Sequence, residues 1–220
     1  MIKKIYNNLV KDENIKKIYK EIEKLEDKER AIAYHNFSHI TNVTNIVENV
    51  LQSLNVDENT IFKAKIACLF HDVGILYGKE NHAYKSYKMT KEYFEKNNIA
   101  FDGIEEVLYA IRDHSNKFDS DSVVTLALIF GDKLDIKKTR ISDKGKEVIG
   151  NRQYSHIENI EIEIESNNMT IRFKTDNKID INELNDYYFT KKVFSAINSF
   201  SSKMDLNFKV FLDNKEWNIF

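Results

Sequence analysis

Residues 57–74 read DENTIFKAKIACLFHDVG, and the fold turns on this stretch. Asp57 stands just before an apolar run that ends in His71 and Asp72, with Gly74 two residues further on. A carboxylate in the first place caps a helix by accepting from its free N–H groups, and a glycine is the usual stop. The expectation is a buried helix, IFKAKIACLFHD, that carries the His71–Asp72 pair at its C-terminal end and is closed by Gly74. Adjacent helical residues point about 100° apart. The pair therefore suits a metal ion at the helix end better than one over the helix face.

On both sides of this helix the apolar residues keep a helical period, up to about residue 140. Ile15, Ile18, Tyr19, Ile22 and Leu25 form one stripe, and Ile40, Val43, Ile46, Val47, Val50, Leu51 and Leu54 another. A further helix is expected from about Ala83 to Lys96, and one capped by Asp102 that carries Ile104, Val107, Leu108 and Ile111. The segment SVVTLALIFGDKLDIKK is apolar nearly all round at its start, which marks a central helix. Beyond it the period changes. Ile160, Ile162 and Ile164 alternate with glutamates, Asn167 and Asn168 give a turn signal, and Met169, Ile171 and Phe173 alternate again, so a β-hairpin is expected. A helix from about Asn182 to Met204 and a last strand with Phe208, Val210 and Leu212 complete the tail. The organisation read here is a helical domain over residues 1–145 and a small α+β piece over 146–220, a mainly α fold.

The 220 residues suffice for an ordinary core without covalent staples. The formal net charge of −2 gives no basic field for nucleic acid or an anionic membrane. A single cysteine, Cys68, precludes an internal disulfide and suits a reducing, cytoplasmic setting. No apolar run is long enough to span a bilayer, and the first residues lack the apolar core of a signal peptide.

Five of the six histidines fall in the helical part. His35 and His39 are spaced four apart in YHNFSHI, on one face if that segment is helical. His82 and His114 sit at expected helix ends, and Asp132 directly follows LALIFG, where a carboxylate must be paired, hydrogen-bonded or on a metal. Imidazole and carboxylate together suit Zn, Fe, Mn or Mg, and the lack of further cysteines argues against a structural zinc site.

HNFSH, the doublet in LFHDVG and the later Asp132 in GDKLD resemble the H…HD…D signature of the HD-domain superfamily of metal-dependent phosphohydrolases, over roughly residues 30–140. The resemblance implies that His39, His71, Asp72 and Asp132 bind a divalent metal, and that His82 and His114 bind a second in a two-metal member. YHNFSH is also similar to the HNxxH segment of cyclic-nucleotide phosphodiesterases, which implies that His35 protonates the leaving oxygen. Asp72 is the natural bridging carboxylate, and Lys133 and Arg140 are the candidate phosphate cations, although such residues are more often simply solvated.

The function these residues imply is hydrolysis of a phosphomonoester or phosphodiester in a small nucleotide-like molecule by a metal-activated water. A di-iron oxygenase of the same fold and a non-catalytic nucleotide-binding module are the alternatives; a nuclease is disfavoured by the balanced charge. His156 is expected at the surface and Cys68 in the core. The aromatic tail helix, with Tyr187, Tyr188, Phe194 and Phe200, is expected to serve as core or as a homodimer interface rather than as a base-stacking platform.

Overall fold

A computed structural model describes residues 1–219. The helical part consists of α1 (Ile2–Leu9), α2 (Glu13–Glu29), α3 (Phe37–Ser53), α4 (Glu58–Phe70), α5 (His82–Lys96), α6 (Ile104–Asp113) and α7 (Val123–Leu134). Side-chain caps start four of them. Asp12, Asn36, Asp57 and Ser122 accept the N–H groups of Asn14, His39, Thr60 and Thr125 at 2.7, 3.1, 3.0 and 3.2 Å. Such a cap is worth about 1 kcal/mol. The two apolar helices are the central ones: α4 packs against α1, α3, α5, α6 and α7, and α7 against α3, α4 and α6.

The tail begins with 3-10 turns at Lys138–Arg140, Gly145–Glu147 and Asn151–His156. It continues as β1 (Ile157–Glu165), β2 (Asn168–Thr175), α8 (Ile181–Asp186), α9 (Tyr188–Lys203), β3 (Asn207–Leu212) and β4 (Lys215–Glu216). β1 and β2 form the expected antiparallel hairpin, with Ile162 opposite Ile171 and Ile160 opposite Phe173. β3 then pairs parallel to β2, so α8 and α9 are the crossover between parallel neighbours. α9 lies against α7, where the Phe130 and Phe200 rings approach to 4.6 Å. On the sheet side, Trp217 fills the gap between Phe173 and Phe194. The result is a mainly α fold with a small α+β piece that shares its core with the helices. No helix among the described residues is long and apolar enough to cross a membrane.

Local expectations fail at five places. Gly74 does not stop α4, which ends at Phe70; it lies in a 3-10 turn, Val73–Tyr77, and its N–H donates to Ser86 on α5. Asp102 does not cap α6; Gly103, with φ of 81°, takes that place. The hairpin turn is Ser166–Asn167, one residue earlier than read, because Glu165 pairs with Asn168. The tail helix is broken at Tyr187, whose backbone is extended. His35 precedes α3, because Asn36 caps that helix, so His35 and His39 are not on one helical face.

The shared core makes Phe200→Ala a test of the tail's attachment. Emptying so large a buried site costs about 3–5 kcal/mol. Denaturant unfolding should show one transition moved to lower concentration for helical and tail probes alike. Two transitions, with the helical one unmoved, would contradict the shared core.

Candidate metal centre

The potential ligands come from the ends of five helices. His39 is in the first turn of α3, His71 follows the last residue of α4, His82 opens α5, His114 follows α6, and Asp132 lies in the last turn of α7. Close packing of α3 on α7 sets the spacing. A Cβ on Gly131 would stand 2.7 Å from a Val47 methyl and 3.1 Å from the Val43 carbonyl oxygen, so only glycine admits this approach. Across it, His39 Nε2 comes to 3.3 Å from Asp132 Oδ1.

Two groups form, with Asp72 in both. In the first, His39, His71, Asp72 and Asp132 each offer one atom within 4.8 Å of every other, and all four are buried. Asp72 presents Oδ2 here, 3.1 Å from His71 Nε2 and 3.6 Å from His39 Nε2. In the second, Asp72 presents Oδ1, 3.5 Å from His82 Nε2 and 3.6 Å from His114 Nε2. One carboxylate thus faces two sets of imidazoles with its two oxygens.

The other ring nitrogens decide what these atoms can be. Nδ1 of His71, His82 and His114 donates to the carbonyl oxygens of Cys68, Lys79 and Ile111 at 2.8, 3.0 and 2.7 Å. A carbonyl only accepts, so each Nδ1 carries a hydrogen and each neutral ring has its lone pair on Nε2. His39 Nδ1 is held in the same way by Asp135 Oδ2 at 2.8 Å. Holding of this kind orients metal-ligating histidines. His82 Nε2 and His114 Nε2 then face each other at 3.2 Å as two lone pairs, an arrangement that calls for a cation or a proton between them. In the first group, His39 Nε2, His71 Nε2 and Asp72 Oδ2 are buried with no hydrogen-bond partner. Orphaned atoms of this type are costly, and a divalent cation satisfies all of them. The donor set is nitrogen and oxygen only, which suits Mn, Fe, Mg or Zn.

The charges agree. Burial works against the Asp72 carboxylate, but His71, His35, His114 and His39 outweigh it and hold its pKa well below the usual range. Asp132 is likewise held low against its burial by Lys133, His39, His71 and Arg140. Burial also opposes a charge on His71, yet Asp72 and Asp132 push that ring up to about 10. His114 goes the other way, to about 4, through burial and the neighbouring His71 and His82.

Lys133 and Arg140 are buried, contrary to the solvated reading, and both serve Asp132. Lys133 Nζ reaches its Oδ2. One Arg140 amino group donates to the carbonyls of Asp132 and Asp135 at 3.0 and 3.1 Å, and the other lies 3.4 Å from Asp132 Oδ1. Cys68 is buried, as expected, and burial raises its thiol. His156 is half-exposed and pairs with Asp176 at 3.0 Å.

Two participants escaped the sequence reading. Asp135 holds His39, and Glu26 holds His35, accepting its Nδ1 at 2.6 Å and its backbone N–H at 2.8 Å. Glu26 was visible in principle: α2 buries Ile15, Tyr19, Ile22 and then Glu26, a carboxylate where the stripe calls for an apolar residue.

Asp72 and Asp132 push the His71 ring up, so a proton competes with a metal ion for its Nε2, and loading the site at pH 7 should displace protons. Chelator-treated protein titrated with Mn²⁺ should bind two equivalents, the second more weakly, and release protons. Affinity should fall as the pH is lowered. Calorimetry in two buffers of different ionisation enthalpy measures the release. Stoichiometric metal retained by both His71→Ala and Asp72→Ala would sink the assignment, and His82→Ala with His114→Ala should remove the second equivalent alone.

A family model described as the HD domain matches residues 36–149, slightly more than half of the chain. Searches of curated proteins and of solved structures gave no match. The matched segment starts at the cap of α3, ends before β1 and contains all six residues of the two groups. The chain therefore belongs to the HD-domain superfamily of metal-dependent phosphohydrolases.

Proposed function

We propose that the protein hydrolyses a phosphomonoester or phosphodiester bond in a small nucleotide-like molecule. One observation carries the reading: two ligand groups share Asp72, with buried, unpaired His39 and His71 nitrogens at one carboxylate oxygen and the His82 and His114 nitrogens at the other. His39, His71, Asp72 and Asp132 would hold one divalent cation, and Asp72, His82 and His114 a second. When bound, such ions neutralise phosphoryl oxygens and bring a bound water's pKa to near 7.

The chain's own residues supply orientation and proton handling. Lys133 and Arg140 fix Asp132, and Asp135 fixes His39, so the ligands are set before substrate arrives. His35 is the proton carrier. Its Nδ1 is tied to Glu26, which leaves Nε2 as the working nitrogen. Burial pushes the ring down to about 4 despite Asp72 and Glu26, so it rests neutral at pH 7. It can act as an acid at the leaving oxygen only after taking up a proton, and the Glu26 carboxylate stabilises the imidazolium so formed.

His35→Ala should retain metal and lose about 10²–10⁴-fold in kcat on alkyl phosphate esters, with a smaller loss on p-nitrophenyl esters, whose leaving group needs no proton. Equal losses on both would remove the acid role. Inertness towards every ester combined with a coloured, oxygen-sensitive, iron-loaded protein would favour a di-iron oxygenase on the same six ligands. Saturable nucleotide binding without turnover in any of the four metals would favour a sensing module.

A further inference from the structure

Beside the metal centre lies a cavity of about 270 Å³. His35, Lys79 and Arg140 of its wall adjoin the centre, Lys79 through the carbonyl that accepts from His82 Nδ1. The His35 ring stands edge-on to the His39 ring at 5.8 Å, and Arg140 touches Asp132. The facing wall is aromatic: Tyr154, Tyr187, Tyr188 and Phe189. All four lie beyond residue 149, where the family match ends.

This wall is held in place by the tail's local structure. The extended backbone at Tyr187, with φ −71° and ψ 125°, separates α8 from α9 and sets Tyr187 and Tyr188 at the cavity. The Tyr187 ring rests directly on Gly150, whose φ is +80° and where a Cβ would stand 2.5 Å from the ring. Its hydroxyl donates to Asn151 at 3.3 Å. Tyr154 is fixed through Thr190 Oγ1 at 2.9 Å. Neighbouring rings meet edge to face at 4.9–6.3 Å, close enough to brace one another while leaving the cavity unfilled. Tyr188 is 59% exposed, so it is not there to complete the core. On the opposite wall Arg140 is only 8% exposed, and its Nε has no partner, a buried donor that faces no acceptor of the protein.

An occupant that matches the aromatic wall has a flat π face for the rings. It also carries a phosphate that reaches the centre past His35. The volume sits just below the usual range for small-molecule sites, about 300–1,000 Å³, enough for one ring system and too small for an oligonucleotide. We propose that the tail builds a nucleobase subsite, so that the substrate is a mononucleotide whose base lies among Tyr154, Tyr187, Tyr188 and Phe189. The proposal rests on the phosphoester reading for the position of the phosphate, and on the cavity alone for the base.

The test separates the base from the phosphate. The four common ribonucleosides, which carry no phosphoester, are titrated against ribose into the full chain, with and without Mn²⁺, by saturation-transfer NMR. At least one nucleoside should bind in both conditions and ribose in neither. Tyr188→Ala should weaken that binding about 5- to 150-fold, the range expected for loss of one stacking ring, and Tyr188→Phe should restore it. Because Tyr188 is exposed, both variants should keep the wild-type melting temperature. Nucleoside and ribose behaving alike, or nucleoside affinity unchanged in Tyr188→Ala, would overturn the subsite. So would concentration-dependent dimerisation that Tyr188→Ala abolishes in the absence of nucleoside binding. Nucleoside binding that depends on Tyr188, in a protein that turns over no ester, would leave the subsite standing and remove the hydrolase reading.

Discussion

A single buried carboxylate organises the molecule. Asp72 is 2% exposed and has imidazoles on both sides, His39 and His71 at one oxygen, His82 and His114 at the other. An isolated charge at such a depth would be strongly unfavourable, and the fold offsets it with the four imidazoles brought to it where five helix ends meet. Three of these, at α4, α6 and α7, are C-terminal, where unpaired carbonyls carry partial negative charge. Together with Asp72, Asp132 and Asp135 they make a field that favours cations. Lys133 and Arg140 are engaged with Asp132 and with the carbonyls at the end of α7.

This constraint explains why the ligands sit at helix ends rather than along a face. At a C-terminal end the ring can turn back to its own last-turn carbonyl, as His71 does to Cys68 and His114 to Ile111, each three residues earlier. The helix thereby fixes the tautomer without any further side chain. His82, which opens α5, uses the Lys79 carbonyl in the same way, whereas His39, in the first turn of α3, is held by Asp135 from another element. The difference accounts for a buried aspartate that binds no metal in either ligand group.

Much of this was readable from the chain, for a physical reason. Residues that break a hydrophobic pattern must be compensated somewhere, so His71, Asp72 and Asp132, set at the ends of apolar runs, stand out without any structure. Glu26 breaks a pattern in the same way, but Leu25 beside it continues the stripe and conceals the break. His35 and His39 share a face only if the helix already runs through residue 35, and Asn36, which caps α3 with its side chain, starts the helix one residue too late for that. The break at Tyr187 leaves almost no local mark, since neither proline nor glycine stands there. It is imposed by distant partners: Glu183, bonded to the Gly150 N–H and to Arg152, ties α8 down, while Phe200 ties α9 to α7.

The same break bears on how chemistry and selectivity are divided along the chain. The metal ligands all lie within the matched segment, whereas the aromatic wall comes from the tail, and His35, Lys79 and Arg140 line the cavity between them. Arg140 is joined to both, because its guanidinium holds the end of α7 on one side and walls the cavity on the other. A tail that merely covered apolar surface would gain most by continuing one straight helix from α8 into α9 and turning its rings inward, as Phe194 and Phe200 are turned. Instead the chain spends an extended residue, a glycine at positive φ and an exposed tyrosine to keep a space open next to the metal centre. Such departures from the cheapest packing are expected where a ligand supplies the missing contacts.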